Sequence, residues 1–238
     1  MGGHNGTWWG GGAYTLGGSP SPHVGGAGRH FLGQNRQSGP VADLGVWEGR
    51  NLPPLLSLAA PVIGYDTPDA KPAVSAARVR FPAVEFREGS FWALPFQDQE
   101  LGGALCWRVL HNLTAKWELV VALREINRAL QPDAPLLVAV RSEERADARD
   151  APRIYERRSD NGAGLERVDL YFTPSALRLL AWTLGFQTRG IRECVEGYER
   201  INGQEIKHPY LVAELIKIGC PDPTRLCQAE RLIARNGF

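Results

Sequence analysis

The sequence predicts an α/β domain built on a doubly wound, mostly parallel sheet. Beyond residue 40, short apolar runs alternate with segments of helical periodicity, and this alternation is typical of parallel strands joined by helices. The run at 135–140 is apolar throughout, as expected of a strand buried on both faces. The chain has 238 residues, of which 43% are hydrophobic and 22% are charged, which is enough for one such domain.

Local signals place the elements along the chain. Thr67 and Thr173 each precede a proline, which is the pattern of an N-cap followed by a first-turn residue. Between 117 and 130, apolar side chains recur on one helical face. The predicted strands are 41–45, 62–66, 84–87, 103–107, 135–140, 186–195 and 210–217, and the predicted helices are 50–59, 67–80, 117–130 and 174–184.

Composition divides the chain into three parts. Residues 1–39 are crowded with glycine and show neither a strand nor a helix period, so we interpret them as an arm that is loosely ordered or folds over a pocket as a lid. Residues 40–218 form the predicted domain, and residues 219–238 are an extension with no assigned role. The polar stretch 142–170 is expected at the carboxyl edge of the sheet, either selecting the substrate or forming an exposed, self-paired charged face.

Charge and hydropathy narrow the function classes. The chain has 27 basic and 26 acidic side chains, a net charge of +1, so nucleic acid is not a favoured partner. No apolar run approaches the roughly 20 residues of a membrane helix, and no secretory signal pattern is present, so we expect a cytoplasmic protein that does not enter a membrane. The four cysteines are scattered without metal-binding spacing, so no metal is predicted.

The end of the first predicted strand carries a nucleotide-binding pattern. Asp43 is followed by Gly45 and Gly49 just before a helix, where the backbone and helix N–H groups can approach a ligand. Asp66 ends the second strand 21 residues after Gly45, where a carboxylate can accept both hydroxyls of a ribose. An acid at a strand end is also commonly a cap or a solvated turn residue, so this pattern alone leaves both interpretations open.

Further segments follow in a consistent order, namely Gly89-Ser90-Phe91, Leu94-Pro95-Phe96, the stretch 105–111 and the helix end 125–132. With them, the chain resembles the class I S-adenosylmethionine-dependent methyltransferases, in particular the type 11 branch, over roughly residues 40 to 217. The resemblance implies a Rossmann-like doubly wound sheet of about seven strands with an antiparallel last strand. It also implies S-adenosylmethionine as the cofactor.

The resemblance assigns roles to the matching residues. The two glycines would lie against the methionine part of the cofactor, the second-strand acid would hold the ribose, and positions 90 and 91 would sit beside the adenine. Positions 106 and 107 would flank the sulfonium and the acceptor. The expected cofactor-binding residues are Asp43, Gly45, Gly49, Asp66, Ser90, Phe91, Cys106 and Trp107.

His111 is the candidate general base, because it follows the fourth strand at the expected mouth of the site. The alternative is a histidine at a helix start that bonds to the backbone. The predicted reaction is methyl transfer from S-adenosylmethionine to a small organic acceptor by in-line displacement.

Two other functions stay open. One is a catalytically silent relative that keeps the fold as a binding or regulatory subunit, and the other is a nicotinamide-dependent oxidoreductase. A homo-oligomer or a protein partner also stays open.

The chain departs from the family pattern at several positions. The middle glycine of the loop is Trp47, which places a large side chain at a point of close backbone approach. Ser90 stands where an acid usually reads the adenine amino group, Leu101-Gly102 replaces Phe-Asp, and Pro132-Asp133-Ala134 replaces a Pro-Gly-Gly turn. If Trp47, Ser90 and Gly102 close the pocket, the silent relative is favoured.

Overall fold

A computed structural model describes residues 19–113, 115–143, 154–160, 166–201, 204–222 and 224–227. The first 18 residues of the predicted arm lie outside this part of the chain, as do most of the C-terminal extension and segments 144–153 and 161–165 of the polar insertion.

One sheet of nine strands organises the described residues. The strands are β1 (Val41–Leu44), β2 (Val62–Asp66), β3 (Glu85–Glu88), β4 (Gly103–Trp107), β5 (Pro135–Ser142), β6 (Ile154–Asp160), β7 (Glu166–Phe172), β8 (Phe186–Ile201) and β9 (Gln204–Lys217). Seven of them lie side by side in the order β3-β2-β1-β4-β5-β9-β8. The first five in this order are parallel to one another, and β9 is antiparallel to both β5 and β8.

This topology confirms the predicted doubly wound sheet with an antiparallel last strand. The two strands beyond the expected seven come from the polar insertion, where β6 and β7 form an antiparallel hairpin. The hairpin joins the sheet where Arg141 and Ser142 of β5 pair with Tyr171 and Phe172 of β7.

Five α-helices cover the sheet within the described residues, and residues 224–227 add one helical turn. The prolines near the starts of α2, α3 and α5 fit the first turn, where no N–H partner is lost. Thr173 caps α5 by accepting a hydrogen bond from the Ala176 N–H at 3.2 Å. The helices are α1 (Arg29–Asn35), α2 (Leu52–Leu56), α3 (Lys71–Arg80), α4 (Lys116–Ala129) and α5 (Pro174–Thr183).

Regular structure begins inside the predicted arm, contrary to its interpretation as a segment without helical character. A π-helical turn at Val24–Gly28 leads directly into α1. Val24 and Leu32 are fully buried against the sheet, so packing stabilises this helix despite its glycines. Glycine is required at position 28, because a Cβ there would lie 2.6 Å from the His23 backbone oxygen and 2.5 Å from the Leu137 side chain.

The sheet separates two apolar cores. On the side called here the α4 face, Leu123 of α4 and Leu180 of α5 pack on the strands. On the other, the α1 face, Leu32, Leu55 and Val74 pack from α1, α2 and α3. Alternation along a strand divides neighbours between the faces, so Cys106 points to the α4 face and Trp107 to the α1 face.

The last strand also fastens the end of α4. The buried Lys217 ammonium donates hydrogen bonds to the carbonyl oxygens of Asn127 and Leu130, at 2.7 and 2.6 Å. These carbonyls lie at the carboxyl end of the helix, where a cation is favourable.

Of the described helices, none is both long and apolar enough to cross a membrane.

Candidate functional site

The loop after β1 lies beside the end of β2. The N–H groups of Gly45 and Val46 both donate to the carbonyl of Tyr65, at 2.8 and 2.9 Å. Gly45 has a φ of +90°, and a Cβ there would overlap Val109. The residue must therefore be glycine, because the loop passes close to the segment that follows β4.

Gly49 plays a different part in the same turn. It has a φ of +75°, and a Cβ there would lie 2.8 Å from Leu52 and 2.9 Å from the Phe81 ring. Its missing side chain thus lets the chain turn closely into α2.

Trp47 adopts a left-handed backbone conformation, which glycine adopts more readily than other residues. Its φ is +48°, which costs roughly 1–2 kcal/mol for a residue with a side chain. Its N–H donates to Oδ2 of Asp66 at 2.8 Å, and its half-buried indole packs against the core of the α1 face. This packing accommodates the large side chain, and the Trp47 N–H still donates to Asp66 at the end of β2.

Asp66 is held by backbone donors on both oxygens. Oδ2 accepts from Trp47, and Oδ1 accepts from the Thr67 N–H at 2.8 Å. The side chain is only 4% exposed, and this burial raises its pKa to about 6 despite the two hydrogen bonds, with the charge of Glu88 adding to the shift. A carboxylate so oriented can still accept further bonds, because each oxygen has a second lone pair.

Asp43 lies deeper in β1 and is buried as well. Its pKa is raised to about 7, mainly by burial and then by the charge of Asp66, with Arg50 partly offsetting the shift. Its Oδ1 is shielded from solvent and accepts no hydrogen bond from the described residues. The carboxyl ends of β1 and β2, called here the β1–β2 edge, therefore hold two buried carboxyl groups that titrate near neutral pH. A cationic ligand would stabilise their ionised forms.

The residues expected beside an adenine follow β3 and lie next to Asp66. The Gly89 N–H donates to the Asp66 carbonyl at 3.2 Å. Ser90 is exposed and its hydroxyl accepts from the Trp92 N–H, whereas Phe91 is buried with its ring edge-on to Tyr65, 5.3 Å between centroids. The fold thus brings Asp66, Ser90 and Phe91 to one corner of the sheet.

An ion-pair network fastens the segment that follows this corner. Arg128 of α4 donates to the carbonyl oxygens of Phe96 and Leu94, at 2.8 and 3.2 Å. It also pairs with Glu125 at 2.7 Å and Asp98 at 2.8 Å, and Glu125 accepts from the Leu94 N–H. This clamp explains why the Leu-Pro-Phe segment and the arginine near the helix end occur together in the sequence.

Cys106 and Trp107 do not face the same space. The Cys106 thiol is fully buried in the core of the α4 face, so only the backbone of this residue can face the carboxyl edge. The burial also raises the pKa of the thiol strongly. The Trp107 indole lies on the α1 face and stacks on His23, with ring centroids 6.5 Å apart. Sequence reasoning missed His23, because it lies in the segment interpreted as an arm.

His111 lies in a short 3₁₀ turn after β4 and is 2% exposed. Its ring centroid is 5.7 Å from that of Tyr210 on β9, whose ring also receives the guanidinium of Arg108 at 4.7 Å. Neither Arg108 nor Tyr210 was a candidate from the sequence, although Arg108 directly follows the expected site residue Trp107. Among the described residues, no group of three acidic, histidine or cysteine side chains could hold a metal ion.

Several solved structures have a fold similar to that of this chain. An S-adenosylmethionine-dependent methyltransferase from Methanosarcina mazei has a TM-score of 0.64 and 18% identity, over 84% of this chain and 99% of that one. The 1,6-didemethyltoxoflavin-N1-methyltransferase of Burkholderia thailandensis, solved with bound 1,6-didemethyltoxoflavin and S-adenosylhomocysteine, has a TM-score of 0.58 and 20% identity, over 82% and 79%. The CcbJ methyltransferase of Streptomyces caelestis has a TM-score of 0.56 and 18% identity, over 84% and 91%.

At these identities the similarity shows the fold. A search of curated proteins found no match to this chain. The model of a methyltransferase domain family, type 11, matches residues 42–138, a range that begins in β1 and ends within β5. That range contains the glycine loop, the acid of β2, the corner after β3 and the end of β4. Residues 42–138 are therefore similar to a type 11 methyltransferase domain, within a fold that the chain shares with solved methyltransferases.

Proposed function

We propose that the protein transfers a methyl group from S-adenosylmethionine to a small organic acceptor. The observation that carries the proposal is the pair of buried carboxyl groups, Asp43 and Asp66, beside a glycine loop within the matched methyltransferase domain. A bound nucleoside that carries a positive sulfonium and an ammonium group would favour the ionised forms of both acids. The Burkholderia thailandensis neighbour contains S-adenosylhomocysteine, which agrees with this assignment.

The residues present fit such a ligand. Asp66 would accept the ribose hydroxyls through the lone pairs that its two backbone bonds leave available. The loop at Gly45 would receive the methionine part, with Asp43 beneath it, and Ser90 and Phe91 would border the adenine. The Arg128 clamp would keep that border in place by holding the chain from Leu94 to Phe96.

When bound, the nucleoside would supply an electrophilic methyl group for an acceptor lone pair, and the electrons of the broken carbon–sulfur bond would pass to sulfur. The protein contributes alignment and exclusion of water. An acceptor hydroxyl must also lose its proton. His111 is the base that we propose, and because its ring is 2% exposed the acceptor would have to reach it from inside the site.

A silent relative of the family is the second candidate. Asp66 is 4% exposed and both of its oxygens already accept backbone hydrogen bonds, an arrangement that also fits a carboxylate with a purely structural role. In that case the fold would act as a binding or regulatory subunit. A cytoplasmic location goes with either candidate and rests on the sequence.

Calorimetric titration separates the candidates. The full chain is titrated with S-adenosylmethionine, with S-adenosylhomocysteine and with NADH as a control. We expect saturable heat for the first two and none for NADH. No heat for any of the three would favour the silent subunit, and heat for NADH alone would favour the oxidoreductase.

A further inference from the structure

Arg108 is a cation at the carboxyl edge that the proposed reaction leaves without a role. It directly follows β4 with a φ of +62°, and its backbone is fixed on both sides. Its N–H donates to the Ala139 carbonyl at 3.0 Å, and its own carbonyl accepts from the Asn112 amide at 3.2 Å. A left-handed conformation at a residue other than glycine is uncommon, and such strain concentrates at functional positions.

The guanidinium of Arg108 is half-buried over an aromatic ring. It lies 4.7 Å from the centre of Tyr210, a fully buried side chain, and within the described residues no carboxylate pairs with it. Other arginines at this sheet are neutralised: Arg87 and Arg128 each pair with two acidic side chains, and Arg141 approaches Asp169 at 3.7 Å. Arg108 is thus a partly desolvated cation that retains its hydrogen-bond donors.

The Arg108 side chain extends away from the carboxyl groups of Asp43 and Asp66. In the order β2-β1-β4-β5-β9, Tyr210 belongs to the strand on the far side of β5, opposite Arg141. Adjacent strands lie about 4.8 Å apart, so β9 is on the order of 14 Å from β1. The guanidinium therefore points away from Asp43 and Asp66, toward the part of the edge where Tyr210 and His111 lie.

We propose that Arg108 binds an oxyanion on the methyl acceptor, a carboxylate or a phosphate group. This inference rests on the proposed function and names the acceptor class for that same site. A guanidinium presents a planar set of donors that matches either oxyanion, and the Tyr210 ring holds it in place without using those donors. The rings of Tyr210 and His111, whose centroids lie 5.7 Å apart, favour an acceptor that is flat and aromatic.

The test uses three probes and four proteins. The probes are 4-hydroxybenzoate, phenyl phosphate and the neutral 4-hydroxybenzamide, each titrated by calorimetry into protein saturated with S-adenosylhomocysteine. The proteins are the wild type, Arg108→Gln, Arg108→Lys and the control Arg124→Gln, which removes one exposed charge from α4.

We expect at least one anion to bind the wild type at least tenfold more tightly than the amide, and the tighter anion identifies the oxyanion. Arg108→Gln should abolish the preference, Arg108→Lys should keep part of it, and Arg124→Gln should keep all of it. An absence of anion preference in the wild type, or a full preference in Arg108→Gln, would overturn the proposal. Circular dichroism melting of each variant checks that the fold is retained.

Cofactor titrations of the same proteins distinguish failure of this inference from failure of the proposed function. If the wild type does not bind S-adenosylhomocysteine, the proposed function fails, and the anion titrations are then carried out on the protein alone and judge Arg108 by the same criteria. If Arg108→Gln binds S-adenosylhomocysteine tenfold more weakly, the guanidinium serves the carboxylate of the cofactor instead. That outcome would overturn the assignment to the acceptor.

Discussion

The two halves of the carboxyl edge carry opposite charge. At the β1–β2 edge, burial leaves Asp43 and Asp66 as acids with raised pKa values, whereas at the β4–β9 edge the Arg108 guanidinium lies over Tyr210 among aromatic rings. A site that takes a cationic nucleoside needs the first environment, and an anionic acceptor needs the second. If both proposals hold, one sheet edge binds two ligands of opposite charge side by side, each in the half of complementary charge.

The largest expected effect concerns stability at the acidic half. The folded state raises the pKa of Asp43 from 3.8 to about 7, so it holds a proton that the unfolded state has released between these values. Stability attributable to this group is therefore greatest below about pH 4 and falls as the pH rises to about 7. Asp43→Asn removes the ionisation and should stabilise the protein at pH 8 by roughly 2–4 kcal/mol.

Urea denaturation at pH 4.5 and pH 8 measures this effect. The variant should gain little at pH 4.5, and the matched control Asp69→Asn, which changes an exposed carboxylate, should gain little at either pH. Equal stability of Asp43→Asn and wild type at pH 8 would contradict the raised pKa of Asp43.

The next effect is on binding at the same half. Asp66→Ala removes the carboxylate proposed to hold the ribose and should weaken S-adenosylhomocysteine binding by about 1–3 kcal/mol, roughly 5- to 150-fold. Calorimetry measures the affinity, with Asp69→Ala as the control. An unchanged affinity would mean that the ribose lies elsewhere.

A third prediction concerns the support of the adenine border. Arg128→Ala breaks the bonds to the Leu94 and Phe96 carbonyls and leaves Glu125 without this partner, which should cost about 1–2 kcal/mol of folding stability. The free energy of unfolding from urea titration is the measurement. Arg124→Ala on the same helix is the control, and equal stability of the two variants would show that the clamp contributes nothing.

The smallest effect is expected at Trp47. Glycine there relieves the left-handed strain but loses the packing of the indole, so the affinity for S-adenosylhomocysteine should change by less than about threefold. A tenfold rise, measured by calorimetry, would instead show that the indole obstructs the acidic half.

The sequence allowed the order of strands and helices to be predicted because apolar runs and proline or threonine signals are local. Helix α1 was missed, since its stability comes from Val24 and Leu32 packing on a sheet that forms from later residues. The polar insertion likewise gave no sign of the hairpin of β6 and β7, in which β7 pairs with the end of β5.

The site was predictable to different extents in its two halves. Asp43, Gly45 and Asp66 stand at strand ends, where their types and spacing indicate a ligand. The approach of Arg108 to Tyr210 joins positions 102 residues apart and depends on β9 lying beside β5. No local pattern encodes that contact, and the same holds for the bond from the Trp47 N–H to Asp66.

The position of β9 has a consequence for how the protein is made. β5 receives its antiparallel neighbour only when residues 209–217 arrive, and the Lys217 ammonium then fastens the end of α4. During translation, the apolar strand β5 therefore keeps an open edge until β9 has left the ribosome, and such edges invite pairing between nascent molecules. Truncation that removes β9 should therefore expose this edge and yield aggregates.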